Sequence, residues 1–261
     1  MGFLHSIILG IVEGITEFLP VSSTGHLILA SQLLRIGESD FVKSFEIIIQ
    51  LGAILAVVVL YWKKLWNWET IKKLLVAFLP TAIIGLALYK IVKTYLLGNT
   101  AVVLWSLFLG GFALIIFELW YEHCHLGARL PKGEKEALPP SYRQAVAIGL
   151  FQSIAIIPGV SRSAATIVGG LWLGLSRATI VEFSFLLAVP TMLAATGLDL
   201  IKNYQSFSAD QFGSLTVGFV VSFLVALAAI KFLLNYIRKY DFIPFGIYRI
   251  ILALIFWFLV V

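Results

Sequence analysis

The sequence predicts an all-α polytopic membrane protein, with six transmembrane helices and two re-entrant helical hairpins in an inverted-topology repeat. Three observations carry that prediction. The 261 residues are 60% hydrophobic and 13% charged, with a mean hydropathy of +0.98, too little charge to cover a water-exposed surface. Two polar, helix-breaking segments interrupt otherwise apolar stretches. The two halves of the chain also resemble each other around those breaks. The single cysteine, Cys124, excludes an internal disulfide framework. A net charge of +5 does not mark a nucleic-acid binder here, because most bases lie between apolar runs, where juxtamembrane Lys and Arg belong.

The first stretch, about residues 2–35, breaks at Leu19-Pro20-Val21-Ser22-Ser23-Thr24-Gly25. It lacks a basic start and a small-residue cleavage site, and Glu13 and Glu17 interrupt its apolar run, so it is expected to stay in the mature protein. Spans follow at about 44–62, 74–95 and 101–121, then a loop at about 123–142. The second broken stretch, about 143–174, breaks at Pro158-Gly159-Val160-Ser161-Arg162-Ser163 and precedes spans at about 178–201, 212–234 and 243–260. A crossing takes roughly 20 apolar residues, which these six segments approach and neither half of a broken stretch does. Proline and glycine end a helix, and Ser or Thr caps the next. Both broken stretches therefore read as hairpins, their irregular backbone buried in protein or lining a wet cavity.

At an offset of 139, Leu9-Gly10-Ile11-Val12-Glu13 lies over Ile148-Gly149-Leu150-Phe151-Gln152, and Val21-Ser22 over Val160-Ser161. Leu79-Pro80-Thr81 also echoes Val189-Pro190-Thr191. The expected layout is one membrane domain over 1–261, with repeat one at about 1–122 and repeat two at about 143–261. One hairpin plus three spans per repeat inverts the second copy. Eleven bases, among them Lys63, Lys72, Arg143 and Arg238, fall on the side away from the N-terminus, against five, such as Arg35 and Lys90, on its own side. The richer side reads as cytoplasmic, so both termini and the first hairpin face outward and the broken tips meet near mid-membrane.

Chemistry concentrates in the breaks. Glu13 and Glu17, four apart, share a helix face. Two carboxylates in an apolar hairpin call for a cation or a proton, so they hold a divalent metal or one of them does acid–base work. Ser22, Ser23 and Thr24 cap the second half-helix and leave its first N–H groups as an anion site. His26, one turn in, can act as base, acid or nucleophile. Arg162 is the base at the heart of the second break and wants an anion such as phosphate, with Ser161, Ser163 and Thr166 as neighbouring donors. Pairing of Arg162 with Glu13 or Glu17 is the structural alternative. Glu46 and Glu182, at equivalent places in the halves, are expected to orient the hairpins. Arg249 is expected to snorkel to the cytoplasmic edge, and His123-Cys124-His125 to lie in a solvated loop.

Glu13-Gly14-Ile15-Thr16-Glu17-Phe18-Leu19-Pro20-Val21-Ser22-Ser23-Thr24-Gly25-His26 resembles the E-x-x-x-E and histidine signature of the bacterial undecaprenyl-diphosphatase (bacitracin-resistance) family. Pro158-Gly159-Val160-Ser161-Arg162-Ser163-Ala164-Ala165-Thr166 is similar to its P-G-x-S-R-S-x-x-T motif. The resemblance runs along the whole chain, including Phe183–Pro190 and Phe242–Phe245. It implies hydrolysis of undecaprenyl diphosphate to undecaprenyl phosphate and inorganic phosphate, recycling the lipid carrier for cell-wall polymers. It also implies dependence on a divalent cation, Mg²⁺ or Ca²⁺, for which Glu13 and Glu17 are the expected ligands, and a site open to the periplasm of the bacterial inner (cytoplasmic) membrane. Carried onto this chain, Glu13, Glu17, His26 and Arg162 are the expected essential set and Ser23 is the candidate nucleophile; the hydroxyls of Ser22, Thr24, Ser161, Ser163 and Thr166 are the expected phosphate-binding donors beside them.

Expected partners are a polyprenyl diphosphate and membrane lipids, with no nucleic acid. Gly110-Gly111 would suit close packing within the chain or in a homodimer. The choice among Ser23, His26 and water as nucleophile stays open. A secondary transporter or flippase of a lipid phosphate is the rival, because broken helices and inverted repeats serve transport as well.

Overall fold

The computed structural model describes residues 1–37, 39–96, 98–125, 139–203 and 211–260. All the regular structure described is helical: α1 (Phe3–Thr16), α2 (Ser23–Leu33), α3 (Asp40–Leu65), α4 (Trp68–Ile91), α5 (Thr100–His125), α6 (Tyr142–Ser153), α7 (Arg162–Trp172), α8 (Arg177–Asn203), α9 (Phe212–Tyr236) and α10 (Ile243–Val260). Single turns of other helix types, Val92–Leu96 and Ile154–Ile156, extend α4 and α6. Five helices, α3, α4, α5, α8 and α9, are long and apolar enough to cross a membrane. The chain is thus a multi-pass membrane protein. The expected sixth crossing, α10, is helical but shorter than those five. Most of the predicted 123–142 loop lies outside the described residues, and His123 to His125 form the last turn of α5 instead of a loop.

The two broken stretches have the same local backbone. α2 and α7 both run for 11 residues, and their starts are 139 positions apart. Their N-caps, Ser22 and Ser161, sit at φ 74° and 43°, a left-handed conformation that costs a serine about 1–3 kcal/mol and persists only where the surroundings enforce it. Each Ser Oγ accepts an amide three residues on, Gly25 N at 3.4 Å and Ala164 N at 3.2 Å. Both helices also end alike, with Arg35 and Gly174 at positive φ and matching bonds from Ile36 N to Ser31 O and from Leu175 N to Gly170 O.

Lipid tails are as apolar as leucine, so packing and buried polar bonds, more than water exclusion, hold these helices together. α1 lies along α9, α6 along α4 and α5 along α10. Backbone approach is close enough that a Cβ on Gly10 would meet Gly218 O at 2.7 Å, and one on Gly149 would overlap the Ala77 carbonyl. Gly110 and Gly111 serve the same purpose inside the chain, against Arg249, Gly246 and Ile250 of α10. The largest core cluster takes in Phe18 and Val21 of the first break, Ile167 and Leu171 of α7, and Phe185 of α8. The Phe18 ring meets Phe185 edge-on at 5.2 Å.

Polar bonds tie helices that are far apart in sequence. Arg177 of α8 forks onto Glu118 of α5 at 2.6 and 2.5 Å, and Glu118 also accepts the Phe242 amide at 3.2 Å, just before α10. Thr81 and Thr191, the threonines of the two Leu-Pro-Thr-like motifs, both accept from the Gln152 side-chain amide, at 2.9 and 3.3 Å. That echo therefore marks one shared contact. α4 is the second helix after its hairpin whereas α8 is the first, so the two motifs are not repeat equivalents.

Candidate active site

The two breaks face each other across a cleft of about 80 Å³. Its lining includes Glu17, Ser22, Ser23 and Thr24 from the first break, Ser161 and Arg162 from the second, and Gln50 from α3. Ser23 and Arg162 each occupy the first position of their helix, directly after a capping serine. The first amides of an α-helix have no carbonyl of their own helix to bond, so both helix ends present donors and a positive dipole end to the cleft.

Glu17, at the C-terminus of α1 and 5% exposed, is the hub. Its Oε2 accepts the Ser23 hydroxyl at 2.5 Å, and its Oε1 pairs with Arg162 Nη2 at 3.3 Å. Arg162 Nη1 donates to the Ser184 carbonyl at 2.9 Å, while its buried Nε has no hydrogen-bond partner among the described residues. One carboxylate thus holds a serine hydroxyl and a guanidinium together. An oxygen anion in the cleft would meet the same guanidinium.

His26 is buried beside this group and turned away from Ser23. Its Nδ1 lies 2.7 Å from the Ser22 carbonyl, which can only accept, so Nδ1 is assigned the proton. Nε2 then accepts from the Tyr248 hydroxyl at 2.7 Å, and the two rings lie nearly parallel. Tyr248, from α10, is the residue that sequence reading missed. Nothing within its own segment, Ile247-Tyr248-Arg249, distinguishes it from an interfacial tyrosine.

Ser163 and Thr166 lie behind the cleft. The Ser163 hydroxyl donates to Leu19 O at 2.8 Å, stitching α7 to the first break. Thr166 Oγ1 is 3.0 Å from the Arg162 and Ser163 carbonyls and 2.6 Å from Ser184 Oγ. Glu46 accepts from Ser31 near the end of α2 at 2.8 Å, and Glu182 pairs with Lys64 of α3. Arg249, expected at the cytoplasmic edge, is instead 1% exposed at the centre of the fold. Four backbone carbonyls hold it there, so it has no need to reach water.

Glu13 sits one turn before Glu17, fully buried, with both carboxylate oxygens unbonded among the described residues. Its charged neighbours are Glu17, Glu46 and Arg162. A carboxylate so placed needs a proton or a cation. Two facing carboxylates beside a serine hydroxyl are the hard oxygen donors that Mg²⁺ or Ca²⁺ takes, so these residues fit such an ion in donor chemistry. No cluster of three or more His, Cys, Asp or Glu that could hold a metal ion occurs among the described residues.

The chain matches known proteins over nearly its full length. The family model described as bacitracin resistance protein BacA matches residues 6–255. The undecaprenyl-diphosphatase of Aquifex aeolicus (strain VF5) is 52% identical over 254 residues, covering 97% of this chain and 96% of the relative. That of Sulfurihydrogenibium sp. (strain YO3AOP1) is 51% identical over 257 residues, with 98% and 99% covered. That of Bdellovibrio bacteriovorus is 52% identical over 256 residues, with 98% and 95% covered. On a match of this extent, the chain belongs to the bacitracin resistance protein BacA family.

Proposed function

We infer that this protein hydrolyses undecaprenyl diphosphate to undecaprenyl phosphate and inorganic phosphate, which recycles the lipid carrier and confers bacitracin resistance. The relatives, half identical over nearly the full chain, bear that name. The observation that carries the chemistry is the Ser23–Glu17–Arg162 bridge, at 2.5 and 3.3 Å, between two facing helix ends.

The reaction begins with the terminal phosphate of the lipid between those helix ends. The Arg162 fork holds its oxygens and neutralises charge that builds in the transition state. Ser23 Oγ attacks the terminal phosphorus while Glu17 accepts its proton. The P–O bond to the inner phosphate breaks, and undecaprenyl phosphate leaves with the bonding electron pair and takes up the proton held by Glu17, which is ionised again for the second step. Water then attacks the phosphoserine, passes its proton through Glu17, and releases inorganic phosphate and the Ser23 hydroxyl. His26, bonded to Ser22 and Tyr248, fixes the capping serine and so the start of α2. Glu13 and Glu17 are the residues to hold Mg²⁺ or Ca²⁺, which when bound supplies positive charge for the diphosphate. The isoprenoid tail stays in lipid against the apolar outer faces.

Six crossings and two hairpins in inverted halves are the arrangement we read for the chain, supported by the matched geometry of α2 and α7 and by the crossed packing of α1 on α9 and α6 on α4. The excess of bases on one side supports a bacterial inner-membrane location with both termini periplasmic. Gly110 and Gly111, which prompted the homodimer, face α10, so a dimer would use another surface.

The test is phosphate release from undecaprenyl diphosphate by purified protein in detergent micelles, where no barrier exists to transport across. Wild-type protein should release phosphate, and Ser23→Ala and Arg162→Ala, folded, should not. Absence of release by the wild type, with movement of lipid phosphate across vesicles, would establish the transporter instead.

A further inference from the structure

We propose that Arg249 is the positioning residue of the site, setting the distance between the two breaks. This rests on the hydrolytic reading of the cleft. Arg249 projects from α10 and is 1% exposed, with backbone carbonyls as its partners. Its Nη1 donates to Pro20 O at 3.4 Å, its Nη2 to Gly159 O and Ser106 O at 3.0 Å each, and its Nε to Leu107 O at 3.4 Å.

Pro20 and Gly159 occupy the same place in the two breaks, 139 positions apart. Each precedes the first residue of its helix, Ser23 or Arg162, by three positions. One guanidinium therefore grips both breaks just before the residues that attack and hold the phosphate. The breaks interrupt the helices that would otherwise have bonded these carbonyls, and in a bilayer such groups need a donor from the protein. A guanidinium offers five N–H groups in a rigid plane and can serve carbonyls from three segments at fixed separations. Lysine places a single flexible charge and cannot.

The surroundings are built for that fork. A Cβ on Gly110 would overlap the guanidinium. Gly159, at φ 92°, turns its carbonyl toward it while packing so tightly on α5 that a Cβ would meet Val103 O at 2.8 Å. The positive charge also stands behind both helix ends, with the sign that favours a bound phosphate.

The experiment compares wild type with Arg249→Lys, which keeps the charge, and Gly110→Ala, which keeps the arginine but crowds its fork. Steady-state kinetics on undecaprenyl diphosphate in micelles are paired with hydrogen exchange of the amides in residues 18–24 and 157–163. For both variants kcat should fall about tenfold or more while KM changes less than about twofold, because misplacement of reacting groups costs rate more than binding. Exchange should quicken in both breaks and stay as in wild type in α4 and α9. Wild-type kcat in either folded variant, or unchanged protection of the breaks, overturns the proposal. Loss of protection throughout, or failure of both variants to fold, makes Arg249 a general structural residue and overturns it too. Should wild-type protein release no phosphate, the hydrolytic reading fails, while the exchange comparison still decides what Arg249 does to the breaks.

Discussion

The Ser23 hydroxyl donates a 2.5 Å hydrogen bond to Glu17, while His26 is tied to Ser22 and Tyr248. The proton acceptor bonded to the Ser23 hydroxyl is thus a carboxylate. Glu17→Gln should lower kcat by about 10²–10⁴-fold, the range for losing a general base. His26→Gln should cost less than Glu17→Gln. Single-turnover kinetics on both variants check the order, and a larger loss in His26→Gln would transfer the base to the imidazole.

In the proposed reaction Arg162 holds the phosphate through the geometry of its fork. Arg162→Lys retains the charge and loses the fork, and removal of one such donor typically costs about 10²–10³-fold in rate. Inhibition by inorganic phosphate should weaken in parallel. The Ki for phosphate in the variant is the measurement, and an unchanged value would detach Arg162 from the anion.

Tyr248 is bonded to His26. Tyr248→Phe keeps the ring stacked on the imidazole and removes one hydrogen bond, worth about 0.5–1.5 kcal/mol. The expected result is a few-fold drop in kcat with the fold intact. A loss as deep as that of Ser23→Ala would give the phenol a direct part in the chemistry.

Glu13 has no protein donor for its buried carboxylate among the described residues. Glu13→Gln should raise the Mg²⁺ or Ca²⁺ concentration needed for half-maximal activity, and chelation should silence the wild type. Titration of phosphate release against each cation reads this directly. A variant with wild-type cation dependence would move the ion elsewhere.

Glu118 and Arg177 stabilise the fold away from the cleft. Glu118→Gln leaves Arg177 without its charge partner in a largely buried setting, a change that costs about 3–5 kcal/mol. Thermal unfolding in detergent should shift downward while activity per folded molecule at low temperature stays close to wild type.

Much of the architecture was legible in one dimension. Runs of apolar residues exposed α3, α4, α5, α8 and α9, because a bilayer tolerates few alternatives to a long apolar helix. Pro20 with Ser22 and Pro158 with Ser161 marked both breaks, because proline and a capping serine act on their own neighbours. α10, Ile243–Val260, coincides with the expected 243–260 segment, although it is shorter than the other five.

The candidate residues were singled out by the sequence itself: Glu13, Glu17, Ser23, His26 and Arg162 stand out because ionisable and hydroxyl groups in apolar surroundings are costly and call for a role. Their partners were decided only by tertiary structure. That Ser23 bonds Glu17 instead of His26, that Tyr248 holds the imidazole, and that Arg249 clasps both breaks instead of reaching for water all depend on contacts between segments far apart in the chain. Hydropathy and helix breaking are local properties of the chain. The direction in which a buried hydrogen bond is made is settled by the folded neighbours that surround it.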